Sequence, residues 1–194
     1  MLTSCEDGND CGVIFVATKC SVAVTMTTLL DVFVEGLPKG QPRPRARRAG
    51  KHVVMYNPGT ADDWVDAIRA IVSSHVDLDQ RWSPVMLLHK GANNALSVTM
   101  HFVFPRPKSH FRSGKYSDLI KDSAPVTHTS KPDLDNAVKL VCDALGTPKH
   151  PLIYSDDACV VSIVSSKRWA KQGEPSGMRL LINEVGDQAV VETT

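Results

Sequence analysis

Apolar residues recur at every second position from 30 to 35, where Leu30, Val32 and Val34 alternate with Asp31, Phe33 and Glu35 before Gly36 closes the run. A period of two predicts a strand with one buried face. The clearest such pattern in the chain is Leu96, Val98, Met100, Phe102 and Phe104 against Ser97, Thr99, His101 and Val103, with His101 on the polar side facing solvent. Residues 160–167 and 178–183 read as two further strands joined by a Gly/Pro turn at 173–177. The period changes to 3.6 at 61–75, where Trp64, Val65, Ile68, Ile71 and Val72 form one apolar stripe behind Asp62 and Asp63. That predicts an amphipathic helix whose first turn carries the acids its dipole favours, a structural use of that pair. A second helix is predicted at 136–145 from Ala137, Val138, Val141, Ala144 and Leu145, followed by a turn-rich segment at 146–151. Residues 77–94 show no periodicity and are expected to be irregular. Strand patterns interrupted by helix patterns make the expected fold α+β, a mixed β-sheet of about five strands with two main helices.

Length and composition add bounds. A chain of 194 residues with 42% hydrophobic residues is one domain by prior and can bury a core. The formal net charge is +1, and residues 1–25 hold Glu6, Asp7 and Asp10 against Lys19, so the rest of the chain is slightly more basic than the whole. Nucleic-acid binding would therefore come from local patches rather than a global field. Five cysteines, Cys5, Cys11, Cys20, Cys142 and Cys159, are odd in number and lack a CxxC pair. That spacing argues against zinc and for reduced thiols in a cytoplasmic setting. The apolar stretch 13–24 is broken by Lys19, Cys20 and Ser21 and follows an acidic lead, so it is read neither as a signal peptide nor as a membrane span.

Chemistry concentrates in Lys131-Pro132-Asp133-Leu134-Asp135-Asn136-Ala137-Val138-Lys139. If the lead-in is extended, Asp133 and Asp135 project to one side, and Lys139 follows Asp135 by one helical turn. Carboxylates held that close repel unless a hard cation such as Mg²⁺ lies between them. The plainer reading makes Asp135 the N-cap of the 136–145 helix and Lys139 its i,i+4 partner. A second acidic pair, Asp156 and Asp157, weighs against it, because a helix packing back on the strand that follows would bring Asp157 toward the first pair.

Two segments carry the positive charge. Residues 39–51 contain Lys39, Arg43, Arg45, Arg47, Arg48 and Lys51 with no acid, and their prolines and glycines predict a loop. Like charges in one run repel unless a polyanion neutralises them, which favours a phosphate-contacting arm over a merely solvated loop. Residues 105–115 add Arg106, Lys108, Arg112 and Lys115 around Phe111, a combination suited to DNA backbone or unstacked bases.

The acidic motif, the turn and the second pair in Ile153-Tyr154-Ser155-Asp156-Asp157 together resemble the RusA family of Holliday junction resolvases. These are Mg²⁺-dependent endodeoxyribonucleases common in phages and prophages. The likeness extends over residues 29–183 and includes the segment 36–45, the helix near Ala61 and the stretch before the acidic core. It implies that Asp133, Asp135 and Asp157 are the essential, metal-holding carboxylates, with Asp156 as a possible further ligand and Lys139 as the catalytic lysine. It also implies four-way junction DNA as substrate, paired nicks and a C2 homodimer. Residues 1–25 have no counterpart in it, which sets them apart as an extension of the domain at 26–194, either an added strand or an upstream extension included by choice of start codon. Two other readings stay open: a catalytically weak junction-binding protein, and a Mg²⁺-dependent nucleotide phosphohydrolase.

Overall fold

The computed structural model of the chain describes residues 24–56, 58–78 and 95–187. In chain order the elements are β1 (Val24–Glu35), the hairpin strands β2 (Arg45–Ala49) and β3 (His52–Tyr56), α1 (Asp62–Leu78), β4 (Ala95–Phe104) and α2 (Leu134–Leu145). They continue with the two-residue strands β5 (Gly146–Thr147) and β6 (His150–Pro151), then β7 (Val160–Trp169) and β8 (Gly177–Asp187). The main sheet has the order β1-β8-β4-β7, with β4 and β7 parallel and the other pairs antiparallel. A mixed sheet with two helices is the α+β arrangement expected from the patterning, and the main sheet counts four strands among the described residues.

Register explains why these residues bury one face. Val32, Leu180 and Met100 lie side by side across three strands, as do Leu30, Ile182 and Val98, and Val34, Met178 and Phe102. All nine are buried. Helix α1 covers them with Trp64, Ile68 and Val72, and α2 with Leu140, Val141, Ala144 and Leu145. Full burial of each large aliphatic side chain contributes about 1.5–3 kcal/mol, so the rows and the two helix stripes account for the association of sheet and helices. Arg69 Nε, donating to Ala144 O at 3.3 Å, ties α1 to α2.

The opposite face of the sheet mixes polar residues with Phe33, Val103, Leu181 and Val164, less apolar than the helix-covered face. Asp31 accepts two bonds from Arg179, at 2.9 and 2.6 Å, and the guanidinium holds its carboxyl below the usual carboxylate range. His101 is exposed as expected, with Nδ1 at 2.7 Å from Ser166 Oγ.

Boundaries shift in several places. Strand β1 begins at Val24, earlier than the alternation at position 30 indicated, while residues 1–23, with Cys5, Cys11, Cys20 and nearly all of the stretch 13–24, lie outside the described residues. Helix α1 runs three residues beyond the expected end at 75, so the irregular stretch expected at 77–94 starts inside it; the remainder of that stretch lies outside the described residues. The strand read at 178–183 is the middle of β8, which extends in both directions to pair with the full length of β1. Among the described residues no helix is long and apolar enough to cross a membrane.

The turn from β7 to β8 is closed by a forked ion pair: Arg168 donates to Glu174 at 2.6 and 2.5 Å, and Lys171 N donates to the same carboxylate at 2.7 Å. The guanidinium beside it lowers the Glu174 pKa from an ordinary 4.5 to about 2. A depressed folded pKa means the unfolded chain binds more protons in that window, so the contribution is complete above pH 4.5 and is lost as pH falls through about 2. Glu174→Gln should therefore lower the thermal midpoint at pH 6, and the gap to wild type should narrow steadily between pH 4.5 and pH 2. Thermal unfolding at stepped pH reads this, and a gap of constant size would contradict it.

Candidate active site

Helix α2 starts two residues earlier than the apolar period suggested. Leu134 packs against the core and draws the first turn inward, so Asp133 takes the N-cap position with extended backbone, φ −67° and ψ 145°. Asp135 is thus inside the first helical turn rather than at its cap or on an extended lead-in. The Asp133 carboxylate makes no capping bond; only its carbonyl engages, accepting from Ala137 N at 3.1 Å. The plainer reading of the motif fails on both counts, because Asp135 is not the cap and Lys139 forms no ion pair among the described residues. Asp133, Asp135 and Lys139 are exposed, their charged ends have no protein partner among the described residues, and the first two sit where the helix dipole favours anions.

The loop that delivers Asp133 is held from the sheet. By register Lys167 on β7 continues the buried row Val34, Met178, Phe102, so its side chain rises on the helix side of the sheet edge. Its ammonium donates to Ser130 O and Pro132 O, both at 2.8 Å, on either side of Lys131, whose bond to Pro132 is cis. Behind the loop His128 is 4% exposed, stacked on Phe104 and tilted by 51° against Trp169, with each ring centroid 4.1 Å away. Burial, then the Lys167 charge, lowers the His128 pKa, which keeps the ring neutral.

A second clamp comes from the N-terminal side. Gln41 N donates to Asn136 O at 3.0 Å and Gln41 Nε2 to Asp143 Oδ2 at 2.6 Å, seating the segment after β1 along α2. Gly40 permits this approach, since a Cβ there would stand 2.9 Å from Pro132 Cβ and 3.3 Å from Asn136 Cβ. Lys39 is committed elsewhere, to Asp63 at the start of α1 at 2.5 and 2.7 Å, which gives that acid the structural use expected of it.

Asp157 reaches the same helix by a tight reversal. A Cβ on Gly146 would stand 1.8 Å from Tyr154 O, so only glycine allows the chain after α2 to fold back so closely. Ile153 N bonds to Leu145 O at 2.7 Å, and the Tyr154 hydroxyl donates to Cys142 O at 2.9 Å. Asp156 Oδ1 then accepts from Ala158 N at 3.0 Å, capping the short turn Asp157–Cys159. Burial raises the Cys142 and Cys159 thiols and the Tyr154 hydroxyl, and the nearby Asp157 charge adds to all three shifts. These thiols therefore stay protonated and do not behave as nucleophiles.

The carboxylates are not closed into a cage. Among the described residues no group of three Asp, Glu, His or Cys side chains is arranged to hold an ion. The donors still suit a hard cation: Asp133, Asp135 and Asp157 are exposed, and their carboxylates have no partner among the described residues. Mg²⁺ commonly takes only one or two carboxylates and completes its shell with water and substrate phosphate.

The basic segment expected as a loop is largely the β2/β3 hairpin. Arginines at alternate positions do not prevent a strand, and Gly50 in the left-handed region, φ 62°, makes the reversal. Arg43, Arg45, Arg47, Arg48 and Lys51 are all exposed, none meets a carboxylate among the described residues, and Arg47 lies over the Tyr56 ring at 5.9 Å. In the second basic segment Arg106 donates to Ala170 O at 2.6 Å and Pro125 O at 2.8 Å, and Arg112 pairs with Asp122 at 3.0 Å. Phe111 is half-buried and bridges to Ile120, while Lys108 is exposed.

Lys167, His128, Gln41 and Gly40 were not singled out from the sequence. Lys167 had a signal, a charge in phase with the buried side of a strand; the other three had none.

Comparison with known proteins bears on this arrangement. A family described as "Endodeoxyribonuclease RusA" matches residues 35–176, which spans both clamps, the hairpin and Asp133, Asp135, Asp156 and Asp157. A protein of Bacillus subtilis (strain 168) named "Uncharacterized protein YqaN" is 30% identical over 152 residues, covering 78% of this chain and 94% of that protein.

The lysine clamp makes a local prediction. Lys167→Met keeps the aliphatic stem but removes both bonds to the loop, so amide exchange across residues 130–135 should accelerate at least tenfold, about 1.4 kcal/mol of local opening. Protection of β4 and β8 should stay within twofold. Equal acceleration throughout the sheet would show that Lys167 supports the fold at large rather than this loop.

Proposed function

The chain belongs to the RusA family of endodeoxyribonucleases, and from that premise we propose that it resolves four-way DNA junctions by paired nicks, using Mg²⁺, in recombination and repair. The observation that supports the reading is the docking of Gln41 on α2: the basic hairpin, whose arginines meet no carboxylate among the described residues, begins four residues along the chain from this point on the helix that carries Asp135 and Lys139. A surface with anion-binding and cation-binding groups side by side suits a phosphodiester better than a free nucleotide, which has little use for an extended basic finger.

In this proposal Asp133, Asp135 and Asp157 hold the cation. When bound there it supplies Lewis-acid polarisation of the phosphate and of an attacking water. Lys139, one turn beyond Asp135 on the same helix face, offsets charge that builds on the phosphate oxygens. Lys167 and Gln41 act on position, fixing the loop and the helix start against each other. The hairpin arginines and Lys108 hold the DNA backbone, while Arg106 and Arg112 keep the second basic segment in shape. A four-way junction has two-fold symmetry, so paired nicks call for a homodimer of matching symmetry. Strand β7 is an edge with Val161, Ile163 and Val164 exposed, a surface that a second copy would cover. The free Cys142 and Cys159 agree with a reducing cytoplasm.

The deciding experiment incubates the protein and Mg²⁺ with a four-way junction, a linear duplex of the same arms and free nucleotides. Symmetric nicks in the junction alone are expected. Asp135→Asn, which keeps the side chain's shape but removes a charged ligand, should lower cleavage at least a hundredfold while junction binding is retained or tightened. Near wild-type nicking by this variant would remove Asp135 from the site, and turnover of nucleotides without nicking would favour a phosphohydrolase.

Neutralising Arg43, Arg45, Arg47 and Arg48 together to Gln should weaken binding to any DNA and flatten its salt dependence. Each duplex phosphate contact contributes a slope near −0.9 in log affinity against log salt, so four lost contacts reduce it by about 3 to 4. An unchanged slope would mean that the hairpin points away from the DNA.

A further inference from the structure

The geometry points to a division of labour on the β2/β3 hairpin: one face grips phosphate, and the other, led by Val53 and Met55, packs against bases unstacked at the branch point. This rests on the junction reading above and adds a base-contacting surface to it. The two faces follow from register. Arg45 pairs with Tyr56, Arg47 with Val54 and Ala49 with His52, so these share one side of the ribbon. Ala46 pairs with Met55 and Arg48 with Val53 on the other.

The faces differ in cover as well as in chemistry. On the first, Arg47 lies over Tyr56, and Val54 and Tyr56 are 41% and 40% exposed. On the second, Val53 is 70% and Met55 60% exposed. Two apolar side chains held that far into water on an isolated two-stranded ribbon contribute nothing to folding. Their surroundings identify the occupant, because the finger carries four arginines and a lysine from position 43 to 51 and no acid, so whatever covers Val53 and Met55 must be a polyanion with apolar surface. DNA meets that description where its bases are unstacked. A continuous duplex exposes only base edges in its grooves, whereas a branch point exposes stacking faces that an apolar wedge can cover.

Placement supports contact at the branch rather than along the arms. Gln41 is fixed to Asn136 and Asp143, and only Pro42, Arg43 and Pro44 separate it from β2, two of the three with φ fixed by their rings. The finger therefore springs, after a short proline-restricted link, from a point fixed on α2, the helix that carries Asp135.

The test compares wild type with Val53→Ser/Met55→Ser, which leaves every charge in place, and with Arg45→Gln/Arg47→Gln. Binding is read by anisotropy without divalent metal, on a four-way junction and on a linear duplex, with 2-aminopurine at the branch to report unstacking. The Val53→Ser/Met55→Ser protein, checked for an unchanged thermal midpoint, should lose at least tenfold in junction affinity, keep duplex affinity within twofold and abolish the fluorescence rise. The arginine variant should lose affinity for both DNAs by similar factors. A serine variant that retains junction preference and the fluorescence rise, or weakens on both DNAs alike, overturns the inference while leaving the junction reading intact. Wild-type protein that binds both DNAs equally overturns both.

Discussion

One ammonium at the edge of the sheet fixes where the acidic motif stands. Lys167 lies in the row begun by Val34, Met178 and Phe102, and those buried neighbours leave its stem only one direction in which to extend. Its charge then finds two carbonyls, Ser130 O and Pro132 O, immediately before the N-cap of α2. Bonds with a charged donor are worth about 1.5–3 kcal/mol each, more than the exposed ion pairs elsewhere on the surface. The loop, the helix start and, through Asn136, the docked Gln41 all take their positions from that point.

The groups so positioned are left unsatisfied, and the contrast with the rest of the molecule is informative. Asp31, Asp63, Asp122 and Glu174 each have a basic partner, and Asp156 caps a turn. Asp133, Asp135 and Lys139 have none among the described residues, although Asp135 and Lys139 lie one turn apart on a single helix. Stability alone would have paired them. Glu35, Asp66, Asp118 and Glu184 also stand open among the described residues, but scattered over the surface, whereas Asp133, Asp135 and Lys139 do so together at one helix start, the kind of local inconsistency that points to a use outside the chain. The hairpin arginines are open in the same way and carry the opposite charge.

How much of this was legible depends on whether a feature is local or relational. The strand rows were readable because burial on one face imposes a period of two, and Leu30, Val32, Val34 and the 96–104 alternation obey it. The helix stripes behaved likewise, yet the start of α2 was misplaced, because Leu134 joins the core through tertiary packing rather than through the period counted from Ala137. The hairpin was missed because exposed arginines carry no burial pattern at all. Lys167 was visible as a charge in a buried phase, but nothing local tells which carbonyls it serves. Gln41 and Gly40 become meaningful only once the segment after β1 lies on α2.

Charge segregation then has a consequence for how a polyanion approaches. With a net charge of +1 the chain exerts little long-range pull, and exposed charges are screened over about 8 Å at physiological salt, so attraction is confined to local basic groups, the hairpin and Lys108 among them. On the proposed reading, affinity and chemistry are then carried by separate surfaces of opposite sign, one that captures DNA without help and one that accepts it only after its own charge has been offset. On the proposed reading this separates binding from cutting, since DNA can be held and sampled by the finger while Asp133, Asp135 and Asp157 remain inert toward it.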